Sequence, residues 1–111
     1  MEKVIEMARQ LGEKLATHER TLLLKQAQKA VSADPAAIEL IKQYEEQAKK
    51  IQQLQEEQKP IEVEDKHKLR EIEEKISTNA TLKEMTRRQV DFVEMMRKVK
   101  EAIDKQLAVN G

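Results

Sequence analysis

The sequence predicts an all-α protein, and three observations carry that prediction. Only 2 Gly and 2 Pro punctuate the 111 residues, and aromatic residues make up 2%. The bulk is Glu, Lys, Gln, Leu and Ala, residues with strong helix preference, and no Val-rich or aromatic runs are present to build a sandwich or barrel. Apolar residues recur at spacings of three and four, the period of one helix face. Leu, Ile, Val and Phe number 26, about 23% of the chain, just above the level at which a chain stays unfolded. The length suits a single domain, residues 1–111.

Residues 2–16 place Val4, Ala8, Leu11 and Leu15 on one helix face. Gly12 weakens this helix by roughly 1 kcal/mol relative to Ala. Thr17 is a candidate cap for a second helix, with Leu23 or Leu24, Ala27, Ala30 and Val31 as its stripe. The junction at 16–18 reads as a kink or short break, with one bent helix as the alternative. Asp34-Pro35 is the clearest boundary: Asp at the N-cap accepts backbone N–H bonds, and Pro at the first helical position has no donor to lose. The helix that follows carries Ala37, Ile41, Tyr44, Ala48, Ile51, Gln55 and Gln58 as a heptad seam that turns polar at its far end. Pro60 ends it, because the residue before a proline is pushed out of the α region.

Residues 62–76 form a charged helix with Leu69, Ile72 and Ile76 on one face, and Ser77-Thr78-Asn79 breaks the pattern. Thr81 followed by Glu84 has the spacing of a capping box for the last helix. That helix bears the strongest pattern in the chain: Leu82, Met85, Gln89, Phe92, Met96, Val99, Ile103 and Gln106, widened by Val90, Val93 and Leu107. Twenty-six helical residues span about 39 Å, and a seam that long needs a partner helix, from this chain or another.

Composition limits the function. The 21 basic and 21 acidic residues cancel, and no segment is strongly one-signed, whereas bulk binding to nucleic acid or anionic membrane rewards a basic surplus. With no cysteine, thiolate chemistry, disulfides and cysteine-held metals are excluded. No apolar run is long enough to span a bilayer, and Met1-Glu2-Lys3 does not open a secretory signal; the expectation is a cytoplasmic protein. His18 and His67 lie far apart, neither in a metal-ligand spacing, and His67, among Asp65, Lys66 and Lys68, reads as a surface histidine. The pairs Glu45-Glu46, Glu56-Glu57 and Glu73-Glu74 are adjacent and diverge on a helix, so they are solvated faces. No glycine-rich phosphate loop or catalytic constellation exists. We expect no enzyme, no cofactor and no metal. Arg87, Arg88, Arg97 and Lys98 are the candidates for nucleic-acid contact, but Asp91, Glu94 and Glu101 interleave with them and stacking aromatics are absent. Gln89 on the seam is a candidate for fixing register or partner, with a Gln tolerated near a wet hairpin end as the alternative, and Met85, Met95 and Met96 are adaptable packing residues that suit interchangeable partners.

Two stretches carry a resemblance. Val31-Ser32-Ala33-Asp34-Pro35-Ala36-Ala37-Ile38-Glu39-Leu40-Ile41, with Tyr44 and a Gln-rich tail, is similar to the central helix of the YlbF/YmcA family. So is Asn79-Ala80-Thr81-Leu82 followed by Gln89, Phe92, Met96, Val99 and Ile103. The resemblance runs from about Ala16 to Leu107 and rests on spacings of common helix formers, not on catalytic residues. It implies a small helical bacterial protein, often dimeric. It also implies a complex of YlbF- and YmcA-like proteins with a YaaT-like protein that modulates RNA processing, and through it competence, sporulation and biofilm formation. Family complexes are linked to cysteine-held iron–sulfur clusters, and this chain departs from that pattern.

The resulting expectation is a long antiparallel hairpin of helices 35–59 and 81–108, with 62–76 between them and the N-terminal helices alongside, completed as a dimeric bundle. Its function would be that of a non-catalytic regulatory adaptor acting through protein–protein contact. The partners would be itself, as a homodimer or higher, or other YlbF/YmcA-like or YaaT-like proteins. The interface candidates are Tyr44, Ile51, Met85, Gln89, Phe92, Met96, Val99 and Ile103. Alternatives are a self-associating scaffold or holdase-like module and, behind these, an RNA-contacting protein.

Overall fold

The computed structural model describes residues 1–108, which form five α-helices and no strand: α1 (Glu2–Ala16), α2 (Glu19–Ser32), α3 (Pro35–Glu56), α4 (Val63–Thr78) and α5 (Ala80–Leu107). The chain divides into two compact units. One comprises Met1–Gln28 with the residues from Met85 onward, and the other comprises Lys29–Glu84.

In the first unit, the break between α1 and α2 falls where the sequence places it, and the two helices are distinct. Thr17 is not the cap, however. Its hydroxyl donates back to the Glu13 carbonyl at 3.1 Å, while the Arg20 backbone N–H donates to His18 Nδ1 at 3.1 Å. An imidazole nitrogen with a free lone pair thus does the work usually given to Ser or Asp. Thr21 is buried and its hydroxyl donates to the Leu15 carbonyl, tying the end of α1 to the start of α2. The Arg20 guanidinium donates to the Asp91 carbonyl at 3.1 Å, joining α2 to α5. Ala27 and Met95 supply this unit's buried apolar side chains.

In the second unit, α3 starts as predicted. Asp34 Oδ1 accepts from the Ala36 and Ala37 N–H groups at 3.1 and 3.2 Å, with Pro35 in the first turn. α3 ends at Glu56, three residues before Lys59. Gln58 takes a left-handed φ of 56°. Lys59 N–H then reaches the Leu54 carbonyl at 2.8 Å and Gln58 N–H the Gln55 carbonyl at 3.1 Å. This is a Schellman closure with Gln where Gly is usual, so Gln58 leaves the predicted seam. The antiparallel partner shown for α3 is the next helix, α4, the helix that the sequence places between the two long ones. Gln47 meets Asp65 near the turn, and Glu39 and Leu40 share a surface groove with Lys75 and Thr78 at the open end. Ala37, with no exposed surface, and Ile72 are buried in this unit, as are Val31 and Leu82.

The entry to α5 differs from the predicted capping box. Asn79 Oδ1 accepts from Leu82 N–H at 3.0 Å and the Asn79 carbonyl accepts from Lys83 N–H, so the helix begins two residues earlier. Thr81 instead hydrogen-bonds the Asp34 carboxylate, and that bond is the main cause of a carboxyl pKa below the ordinary value; the Ala37 N–H adds to it.

Candidate functional site

α5 supplies most of the predicted interaction residues, and the structure sorts them by face. Met85, Arg88, Phe92, Met95 and Val99 are buried or half-buried, while Gln89, Val90, Val93, Met96 and Ile103 stand in solvent. The covered line therefore runs through Arg88 and Met95, each one residue before the predicted Gln89 and Met96. Arg88 can occupy such a position because its aliphatic stem covers apolar surface while the guanidinium stays polar, here 3.9 Å from Asp91. The consequence is a second apolar line at its side. Met96 is 36% exposed and Ile103 49%, and both lie on one flank of α5 with Val93 and Leu107. Isolated exposed apolar residues are ordinary; these four form a row along one helix.

The remaining predicted residues lie on α3, where Tyr44 is exposed and Ile51 half-buried. The structure thus groups Phe92, Met96, Val99 and Ile103 on α5 and, separately, Tyr44 and Ile51 on α3.

Two of the four predicted basic candidates, Arg88 and Arg97, are paired within their own helix. Arg97 donates to Glu94 at 2.7 and 3.0 Å and to Glu101 at 2.8 Å. The Arg97 contact holds the Glu94 carboxyl below its ordinary pKa, and Glu94 in turn raises that of Arg97. Arg87 and Lys98 are exposed. A stretch in which two of four cations face carboxylates offers little net field to a phosphate backbone.

A polar cluster that the sequence pattern missed sits in the α3–α4 hairpin. Gln47 and Asp65 are 4% and 7% exposed. Gln47 Nε2 donates to the Asp65 carbonyl at 2.9 Å, and Lys50 Nζ donates to Asp65 Oδ1 at 2.8 Å. The Lys50 bond pulls the Asp65 carboxyl below its ordinary pKa, and Asp65 raises that of Lys50. Neither Gln47 nor Asp65 stands out in the sequence. Only the tertiary pairing, 15 and 18 residues apart, identifies them. Among the described residues no buried side-chain nitrogen or oxygen lacks a partner, and this cluster fixes the register of the hairpin.

Among the described residues, no group of three His, Cys, Asp or Glu side chains is placed to hold a metal ion, and no helix is long and apolar enough to cross a membrane. The chain's donor set does not fit a cysteine-held iron–sulfur cluster, because it contains no thiol.

Five helices, a hairpin locked by buried polar groups and apolar flanks left in solvent define a helical protein-interaction module. The chain belongs to the YlbF/YmcA family, described as control of the competence regulator ComK, whose pattern matches residues 4–108; it is thus a member of a regulatory family. Among solved structures it is similar to Bacillus subtilis RicA, seen in complex with RicF. The TM-score is 0.86 at 18% identity, over 96% of this chain and 94% of that one. At that identity the likeness establishes the fold. No curated protein matches the chain.

Proposed function

We propose that this protein is a non-catalytic regulatory adaptor of the cytoplasm that binds other small helical proteins of its own family and, through the resulting complex, modulates RNA processing. The observation that carries this reading is the exposed apolar flank of α5, with Met96 and Ile103 at its centre. It gives a helix-in-groove contact at helical spacing, the mode by which one amphipathic helix docks on another. Two further facts support it: membership of a family described by control of a competence regulator, and a structural relative crystallised with a protein partner. Phe92 and Val99, half-buried beside the flank, would complete the contact, with Gln89 selecting register; Met85, Tyr44 and Ile51 extend the proposed surface.

The test is affinity capture of the tagged chain from its native cells, with bound proteins identified by mass spectrometry, for the wild type and Met96→Asp. Stoichiometric recovery of YlbF/YmcA-like or YaaT-like proteins by the wild type, lost in the variant at unchanged helix content, is the expected result. A broad substoichiometric mixture would favour a holdase-like role instead. Recovery of the bait alone would remove the hetero-adaptor reading.

A further inference from the structure

Arg88, Arg97 and Lys105 of α5 each face a carboxylate of their own helix. The cations on the outer face of α4 do not. Val63, Lys66, His67 and Arg70 lie three, one and three positions apart, which puts them on one side of the helix, and they line a single shallow cleft of about 130 Å³. All four are exposed. The buried residues of α4, Asp65 and Ile72, lie on its other side, where Asp65 meets α3.

Carboxylates are within reach along the chain. Glu71 follows His67 by one turn, and Glu74 follows Arg70 by one turn. Yet among the described residues no ion pair engages Lys66, His67 or Arg70. In both spacings the cation precedes the carboxylate, the weaker of the two orders on a helix. Asp65, the acidic residue next to Lys66, is held by Lys50 of α3 at 2.8 Å. The basic face therefore does little for the helix that bears it, and its charge is open to an outside anion.

We propose that this face of α4 binds the phosphodiester backbone of a nucleic-acid strand, with Lys66 and Arg70 each opposite a phosphate and the His67 imidazole donating a hydrogen bond between them. Lys66 and Arg70 stand one turn apart, about 5–6 Å between Cβ atoms, so their long side chains can reach successive phosphates. Two features select this partner over an acidic protein. Val63 is the one apolar residue of the cleft, so the face lacks the desolvated apolar core on which protein interfaces are centred, whereas backbone contact needs only cations. The face also turns acidic at Glu71 and Glu74, so the strand crosses α4 instead of following its axis. With no aromatic residue to stack on a base, the contact reads charge and not sequence. It is a local contact, compatible with a chain whose zero net charge excludes bulk nucleic-acid binding.

This goes beyond the protein-binding reading and fails separately from it: capture of other proteins depends on the Met96 flank of α5, strand binding on α4. The experiment is an NMR titration of the isotopically labelled full chain with a short oligouridylate, with an oligothymidylate and a polyglutamate peptide in parallel. Shifts are expected at the amides of residues 63–70 with both oligonucleotides, and weaker ones with the peptide. Contact with two phosphates of a single strand gives a slope near −1.4 in log K against log salt, about a sevenfold loss of affinity between about 50 and 200 mM salt. Arg70→Gln should weaken binding by about two- to fivefold, the worth of one exposed ion pair, and halve the salt slope. Glu74→Gln, which removes the repelling charge one turn beyond Arg70, should strengthen binding. Arg70 and Glu74 are both exposed, so neither change opens a core, and circular dichroism on the same samples checks helix content. Shifts confined to other helices, binding indifferent to salt or to Arg70→Gln, or a polyglutamate peptide that binds more tightly than either oligonucleotide overturns the proposal.

Discussion

The α3–α4 hairpin and α1 are built from similar residues and held by different physics. Both are amphipathic, and neither is strongly one-signed. In the hairpin, Ala37 and Ile72 are buried and the Gln47–Asp65–Lys50 cluster is satisfied by its own members. In α1 no residue is buried, and its end is tied to the start of α2 at the junction, where Thr21 and the His18 backbone both reach the Leu15 carbonyl. An isolated 15-residue helix is marginal in water even with good formers. The hairpin draws its stability from within the chain, whereas α1 has its apolar arc available for contacts outside it. Apolar periodicity alone does not distinguish these cases, because it reports that a face will be covered without reporting by what.

The largest effect should come from the hairpin core. Ile72→Ala removes a buried side chain from α4 and should destabilise the protein by about 2–5 kcal/mol, read as a fall in the thermal midpoint and a lower denaturant midpoint. The matched change in α1, Leu11→Ala, should leave the unfolding of a dilute monomeric sample nearly unaltered, since Leu11 is exposed there. Equal losses at the two sites would erase the contrast between the regions.

Much of this was legible in the sequence, for identifiable reasons. The Asp34-Pro35 start, the break after Ala16 and the helical period of each segment are local signals, and local chemistry decides them. The capping roles of His18 and Asn79 were misassigned to Thr17 and Thr81 because several residues near a helix start can each accept an N–H bond. Which one does so depends on the approach angle of the chain, and Thr81 is diverted by Asp34, 47 positions away. The α3–α4 pairing follows from a short connection, which makes sequential helices neighbours, although the α5 seam is longer and more regular. The sequence identified α5 as the helix with the longest apolar stripe. It did not resolve which flank is covered within the chain, since Met95 and Met96 are chemically identical and differ only by about 100° of rotation.

A smaller effect, distinct in kind, belongs to the hairpin's polar lock. Asp65 has its pKa lowered in the folded chain by Lys50, and Asp34 by Thr81. A carboxyl depressed in the folded state binds fewer protons than in the unfolded one, so its contribution is present above the unfolded value, near 3.8. It is lost as pH falls through the lower folded value. Thermal midpoints should therefore be level in mild acid and fall below about pH 4. Asp65→Asn, which keeps the shape and removes the charge, should lower the neutral-pH midpoint and shallow the acid decline. Because the Lys50 side chain is 59% exposed, the stranded ammonium returns to water and the loss stays below that of Ile72→Ala. An acid decline unchanged in Asp65→Asn would mean that Asp65 contributes little to it and that other carboxyls, Asp34 among them, carry it.

The smallest effect tests α1 on its own. Gly12→Ala should favour the helix by about 0.5–1 kcal/mol, since the added methyl meets no atom within 4 Å and strain cannot offset the gain in backbone order. Because α1 has no buried residue through which to transmit that gain, it should appear locally. In dilute samples the amides of α1 should exchange more slowly and helix content should rise slightly, while the thermal midpoint of the protein stays where it was. A midpoint that rises in step with the local gain would show that α1 unfolds together with the rest of the chain, and the contrast with the hairpin would then be one of exposure alone. A midpoint that stays fixed would place α1 at the low end of local stability, free to order itself on whatever covers its apolar arc.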